Sequence, residues 1–131
     1  GIDQPPTVGC VQGVSYASEF LPSLGPVAKK GYAFSQWPYP VEREGGKIWN
    51  WRNRMGYTVR TDDGFRYTEY VPYNKWTFRG TWADESSDPE LYDYNIDPWE
   101  TTNVAGNASY AATVTRLKAV LRRQYVTGPP L

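Results

Sequence analysis

"RMGYTVRTDDGFRYTEYVPYN", residues 54–74, decides the fold. Two runs rich in β-branched and aromatic residues flank Asp63-Gly64, and that dipeptide between such runs is a strong short-range signal for a β-hairpin. With Asp63 and Gly64 as a two-residue loop, Asp62 faces Phe65 and Arg60 faces Tyr67. One face then carries Thr58, Arg60, Phe65, Tyr67 and Glu69. The other carries Tyr57, Val59, Arg66, Thr68 and Tyr70. A one-residue shift in the turn swaps the two sets, because side chains alternate with a period of two.

Upstream, "YAFSQW" (residues 32–37) reads as a short strand ended by "PYP". "VEREGGKIWNWRN" (41–53) is polar and glycine-bearing, and reads as a long loop that docks by Trp49 and Trp51. Residues 1–31 are loop-like, their short apolar cluster broken by Pro22 and Pro26. Downstream, 75–89 is a polar connection holding Trp76, Phe78 and Trp82, and "ELYDY" (90–94) is a further strand. From Ala108 to Gln124 the period changes. Tyr110, Val114, Leu117 and Leu121 follow i, i+4, i+7, i+11 spacing and make one apolar stripe of a helix. Arg122 and Arg123 lie near its C-terminus, where cations suit the helix dipole. The expected fold is α+β: a small antiparallel sheet of about four strands with one C-terminal helix on a face. A two-layer arrangement of this size leaves the other face wanting a partner.

A chain of 131 residues suits one domain with one core. Fourteen Lys and Arg balance fourteen Asp and Glu, so no electrostatic footprint marks nucleic acid or an anionic membrane as a partner. Apolar runs stay well short of the ~20 residues that span a bilayer. Histidine is absent, which removes the usual neutral-pH general base and the commonest metal ligand. Cys10 stands alone, so the chain cannot build a disulfide framework or a thiolate zinc site by itself. Aromatic residues reach 16%; a core this small holds only some of them, which assigns the others to an interface or a pocket. The start at Gly1, without a signal peptide, suits a processed or excised piece.

One phrase remains, "ELYDYNIDPWETTNVAGNASYAATVTRLKAVLRR" (90–123). It resembles the C-terminal end of the sulfatase family, where a strand of the form ELYDL leads into DPxExxNLA and a final helix. "GIDQPPTVGCVQGVSYASEFLPSLGP" (1–26) resembles the family's stretch leaving the large domain. "YAFSQWPYP" and "MGYTVRTDDGFRYTEYV" are similar to segments of the iduronate-2-sulfatase branch. The resemblance implies an alkaline-phosphatase-like sulfatase fold, with 1–31 leaving the large domain and 32–131 forming the C-terminal subdomain. It implies hydrolysis of sulfate esters on glycans by a parent enzyme using Ca²⁺ and formylglycine. Neither is expected on this chain: Cys10 sits in "GCVQG", which does not match the family's C-x-P-S-R or S-x-P-x-R nucleophile motif. The implied partners are a larger N-terminal sulfatase chain and a sulfated carbohydrate, in a lysosomal, extracellular or, for a bacterium, periplasmic setting. The other class of function is a separately retained, aromatic-rich interaction or glycan-binding module without catalysis.

No residue of the chain is expected to be catalytic. Arg60, at the arginine of the branch's MGYSIRT segment, is the first candidate for substrate contact. Guanidinium grips carboxylate or sulfate with two parallel hydrogen bonds. The plainer role is a cross-strand partner for Glu69. Gln36 and Trp37 are candidates beside the pocket, or else a strand end packed on a neighbour. Trp49 and Trp51 stack on sugars or anchor a loop. Asp62 and Asp63 read as turn residues and Asp84 and Glu85 as a solvated loop. Cys10 either pairs with a cysteine of a partner chain or stays a buried thiol. Asn107-Ala108-Ser109 is an N-glycosylation sequon.

Overall fold

Thr61 sets the hairpin. In the computed structural model its hydroxyl accepts the Phe65 N–H and donates to the Phe65 carbonyl, both at 3.2 Å. Gly64 N–H donates to the Thr61 carbonyl, and Gly64 has a φ of 91°. Three residues, Asp62 to Gly64, therefore make the turn, in the manner of a type I turn closed by a left-handed glycine. A side chain at Gly64 would also meet the Asn95 amide at 2.7 Å, so both backbone and space call for glycine there. The longer turn shifts the register by one: Arg60 lies opposite Arg66, and Val59 opposite Tyr67. The two faces expected from a two-residue loop are thereby exchanged along the first strand, and the Arg60–Glu69 pair is lost.

The structure describes residues 20–21, 23, 25–26, 31–38, 43–44, 47–48, 54–74, 76–82 and 87–127. Cys10, Trp49, Trp51, Asp84 and Glu85 lie outside them. The strands are β1 (Tyr32–Pro38), β2 (Arg43–Glu44), β3 (Lys47–Ile48), β4 (Arg54–Thr61), β5 (Phe65–Asn74), β6 (Arg79–Gly80) and β7 (Ser87–Asp93). β1, β4 and β5 run antiparallel side by side, and the far edge of β5 pairs with β7 and then with β6. β2 and β3 pair antiparallel as a separate two-stranded sheet where the sequence reads as loop. The helix α1 spans Ala111–Arg122, preceded by a 3₁₀ turn (Ala108–Tyr110) and followed by a wide turn (Arg123–Thr127). Among the described residues no helix is long and apolar enough to cross a membrane.

The core forms where α1 lies on one face of the sheet. Leu117 and Leu121, from the stripe legible in the sequence, are fully buried against Met55, Tyr57, Val59, Tyr67, Val71 and Leu91. Tyr110 and Val114, the other stripe members, pack on its margin. Each such aliphatic side chain contributes about 1.5–3 kcal/mol by leaving water. The opposite face is polar: Ala33, Ser35 and Trp37 on β1, Thr58 and Arg60 on β4, Arg66 and Thr68 on β5, Glu90 and Tyr92 on β7. Thr58 and Thr68 share a hydroxyl hydrogen bond of 2.9 Å across it.

Candidate functional site

The polar face gathers charge at the turn end of the hairpin. Arg60 and Arg66 are cross-strand neighbours there. Two like charges side by side repel, and the segment after β7 resolves this. Arg66 is gripped by the Glu100 carboxylate through Nε and Nη2. Arg60 lies flat over the Tyr94 ring, 3.5 Å from its centre, a cation–π contact. Tyr94 in turn donates its hydroxyl to Glu100, and Arg66 lies 5.0 Å over the Tyr92 ring. Arg60 is exposed, and no carboxylate pairs with it among the described residues. Its guanidinium edge is thus held in orientation by one aromatic ring while its hydrogen-bonding positions remain available to an anion.

Glu100 belongs to the phrase that carries the family resemblance, and the structure explains its neighbours too. Asp93, buried, accepts the Asn95 backbone N–H at 3.0 Å and side-chain amide at 2.9 Å on one oxygen, and the Tyr110 hydroxyl at 3.0 Å on the other. Accepting by Asp93 raises the Tyr110 pKa, with some help from burial. Asp97 accepts the Thr102 N–H at 2.9 Å. Partial desolvation works to raise its pKa, but hydrogen bonds from Thr102, Thr101 and Trp99 outweigh it and hold the carboxyl below its ordinary value. Asn103 accepts the N–H groups of Leu91 and Ala105 at 3.0 Å and donates to the Pro89 carbonyl at 3.1 Å. Glu100 sits at a φ of 56°, a strained position for a residue other than glycine, secured by Arg66 and Tyr94. Glu100 and Asn103 are therefore clamps that lash the chain between β7 and α1 onto the sheet, while Asp97 closes the loop on itself.

The candidate site residues are not brought into one place. Gln36 and Trp37 are neighbours on β1, so their side chains leave opposite faces of the sheet. Trp37 shares the polar face with Arg60 but pairs with Gly56, four positions along β4 from Arg60, about 13 Å at the usual rise. It is 74% exposed. Gln36 opens on the helix side, into a cleft with Tyr57, Trp82 and Tyr125. Asn107 is exposed, and its side-chain oxygen accepts the Ser109 N–H at 2.9 Å, capping the 3₁₀ turn. Asp62 and Asp63 lie in the turn, and Asp63 also pairs with Arg116 at 2.6 Å. Among the described residues no cluster of three or more His, Cys, Asp or Glu could hold a metal ion.

Glu69 takes a partner that local sequence does not suggest. It is fully buried on the helix-covered face, opposite Tyr57. Arg122, at the end of α1, donates to it from Nη2 at 3.0 Å and from Nε at 3.2 Å, and Tyr67 donates its hydroxyl at 3.0 Å. Burial, with the Glu69 charge and hydrogen bond, pushes the Tyr67 phenol well above its ordinary value. A helix-borne cation fifty-three residues away is visible in sequence only once the parity of β5 is known.

The architecture matches solved structures over most of its length. A protein described as a putative sulfatase, from Bacteroides thetaiotaomicron, overlays on 88% of this chain with a TM-score of 0.58 and 23% identity. The fold is one found within sulfatases. A phosphonate monoester hydrolase from Agrobacterium radiobacter overlays on 87% with a TM-score of 0.51, also at 23% identity. The chain spans about a fifth of each, 20% of the first and 21% of the second. No family model matches the sequence, and no curated protein does. The α+β expectation thus stands: an antiparallel sheet with a C-terminal helix on one face.

Proposed function

We propose that this chain is the C-terminal subdomain of a sulfatase acting on sulfated glycans, of the iduronate-2-sulfatase type. The observation that carries the reading is the asymmetry of the overlay: 88% of this chain falls on 20% of a sulfatase. A segment of that kind completes the fold and supplies wall to a pocket whose reacting groups lie elsewhere. In such an enzyme the larger N-terminal portion would hold formylglycine and Ca²⁺, which would supply the nucleophile and the neutralisation of sulfate charge, and no residue of this chain would hold either. This chain's own part is recognition. Arg60, held flat on Tyr94, presents a planar fork suited to sulfate or uronate. Trp37 offers an exposed ring on the same face, while the Gln36 amide lies on the opposite, helix-covered face. Passage through a secretory or periplasmic route accompanies this reading. A eukaryotic secretory route would add a glycan on Asn107, and in an oxidising compartment Cys10 would either pair with a cysteine of the partner portion or stay a buried thiol.

The test is the native polypeptide itself. Isolated under denaturing conditions and sequenced by mass spectrometry, it is expected to contain, or to accompany, a larger portion bearing C-x-P-S-R or S-x-P-x-R with a formylglycine at its first position. A native protein with no such portion is instead an interaction or glycan-binding module, and the sulfatase reading falls. Hydrolysis of phosphonate monoesters in preference to sulfate esters would keep the fold and overturn the substrate class.

A further inference from the structure

A cleft of about 490 Å³ opens on the helix side, where the end of β1, β6 and the turn after α1 meet. That volume lies within the roughly 300–1,000 Å³ of small-molecule sites. Its floor is aromatic. The Tyr57 ring centre lies 4.7 Å from that of Trp82 and 4.5 Å from that of Tyr125, and Trp82 and Tyr125 run within 15° of parallel. Its polar groups are the Gln36 amide, the Arg79 guanidinium and the Tyr57 and Tyr125 phenols. Tyr57 is 4% exposed and lines the cleft. The backbone at Gly80 passes close to its hydroxyl: a side chain there would stand 3.1 Å from the Tyr57 oxygen. Arg79 is exposed, and no carboxylate pairs with it among the described residues.

We infer that this cleft binds a sugar ring carrying an anionic group. A pyranose has apolar C–H faces and a polar edge. The rings of Trp82 and Tyr125 suit the first, while Gln36 and the Tyr57 hydroxyl suit the second. Arg79 suits a carboxylate or sulfate on the ring. Burial, with neighbouring Tyr73 and Tyr125, pushes the Tyr57 pKa up to about 12, so at neutral pH the phenol keeps its proton and donates. Phe78 lines the cleft from a strained backbone, with a φ of 54° and a side chain 78% exposed. Strain of that kind collects at ligand-holding positions. The inference rests on the chemistry of the cleft and not on the proposed ester hydrolysis.

The experiment titrates the full-length protein with an unsulfated glucuronate-containing disaccharide, followed by calorimetry and tryptophan fluorescence. Cellobiose serves as the neutral sugar and benzoate as an acid without a sugar. Such a probe carries no sulfate ester to be cleaved, so a failure of the sulfatase reading appears in sulfate release and leaves the titration readable. The glucuronate disaccharide is expected to bind, and Arg79→Gln to weaken it about tenfold, the scale of one charge-assisted contact. Cellobiose should bind more weakly than the glucuronate probe and be indifferent to Arg79→Gln. Phe78→Gly should weaken binding several-fold while the Tm stays level or rises, because glycine accepts the left-handed backbone. Loss of affinity with a fallen Tm would mark Phe78 as structural. Affinity unchanged in Arg79→Gln, benzoate binding as tightly as the disaccharide, or no binding at all would overturn the inference.

Discussion

The two faces of the central sheet have nearly the same strands behind them and opposite characters. The helix-covered face sets Met55, Tyr57, Val59, Tyr67, Val71 and Leu91 against Leu117 and Leu121. The other face carries Thr58, Arg60, Arg66, Thr68 and Tyr92. Even so, the only fully buried carboxylate among the described residues, Glu69, sits on the apolar side. The lesson concerns how each face handles charge. On the apolar side burial is complete, so Glu69 needs Arg122 and Tyr67 in fixed geometry. On the polar side Arg66 has its Glu100, while Arg60 makes do with an aromatic ring and keeps its hydrogen-bonding edge free for something else.

That contrast is broken hardest at Arg122. Arg122→Ala strands a buried carboxylate and is expected to cost about 3–5 kcal/mol, read as a lower midpoint in urea. Replacing both partners, Glu69→Leu with Arg122→Met, should recover most of the loss, because the desolvation cost disappears with the charge. If the double variant is as unstable as Arg122→Ala, the pair is more than a satisfied burial. Leu117→Ala comes next, at about 3 kcal/mol from lost transfer and an incompletely collapsed cavity. A loss under about 1 kcal/mol would place α1 off the sheet.

The helix half of this contrast was legible in the sequence, and the hairpin half only partly. The spacing of Tyr110, Val114, Leu117 and Leu121 is periodic over three turns, and periodicity survives without knowledge of the rest of the chain. Asp63-Gly64 announced a hairpin, but that dipeptide serves both a two-residue turn and a three-residue turn with left-handed Gly64. The choice between them rests on Thr61 closing onto Phe65 and on Asn95 lying against Gly64, contacts made by the fold. One residue of turn then exchanged Arg60's expected partner for Tyr94. The phrase around Asp97, Glu100 and Asn103 stood out as a family resemblance, while its clamping role depends on groups thirty or more residues away in the case of Arg66. The cleft draws Gln36, Tyr57, Arg79, Trp82 and Tyr125 from five separate stretches, which no local pattern joins.

Smaller effects sharpen the comparison on the polar side. Thr58→Val removes one partner of the shared hydroxyl bond and leaves Thr68, only 3% exposed, unsatisfied. It should cost about 1 kcal/mol, whereas changing both threonines to valine should come close to neutral. A thermal melt of the two variants separates a hydrogen-bond effect from a packing effect. The least effect near neutrality belongs to Tyr57. Its folded pKa, about 12, lies above the ordinary 10, so below pH 10 both states hold the proton and stability is flat. Between about 10 and 12 the unfolded chain ionises first, and stability falls as pH rises. Tyr57→Phe should flatten that alkaline decline, measured as the urea midpoint against pH; an unchanged slope would assign the decline to other tyrosines.

The most direct measurement is sulfate release from a chromogenic aryl sulfate, with Ca²⁺ added, by the full-length protein and by these 131 residues prepared alone. On the proposed reading the full-length protein turns over and the isolated chain matches a boiled control, the nucleophile lying on the larger portion. Turnover by the isolated chain, from material free of any larger polypeptide, or none by the full-length protein, would contradict its assignment as one segment of a sulfatase.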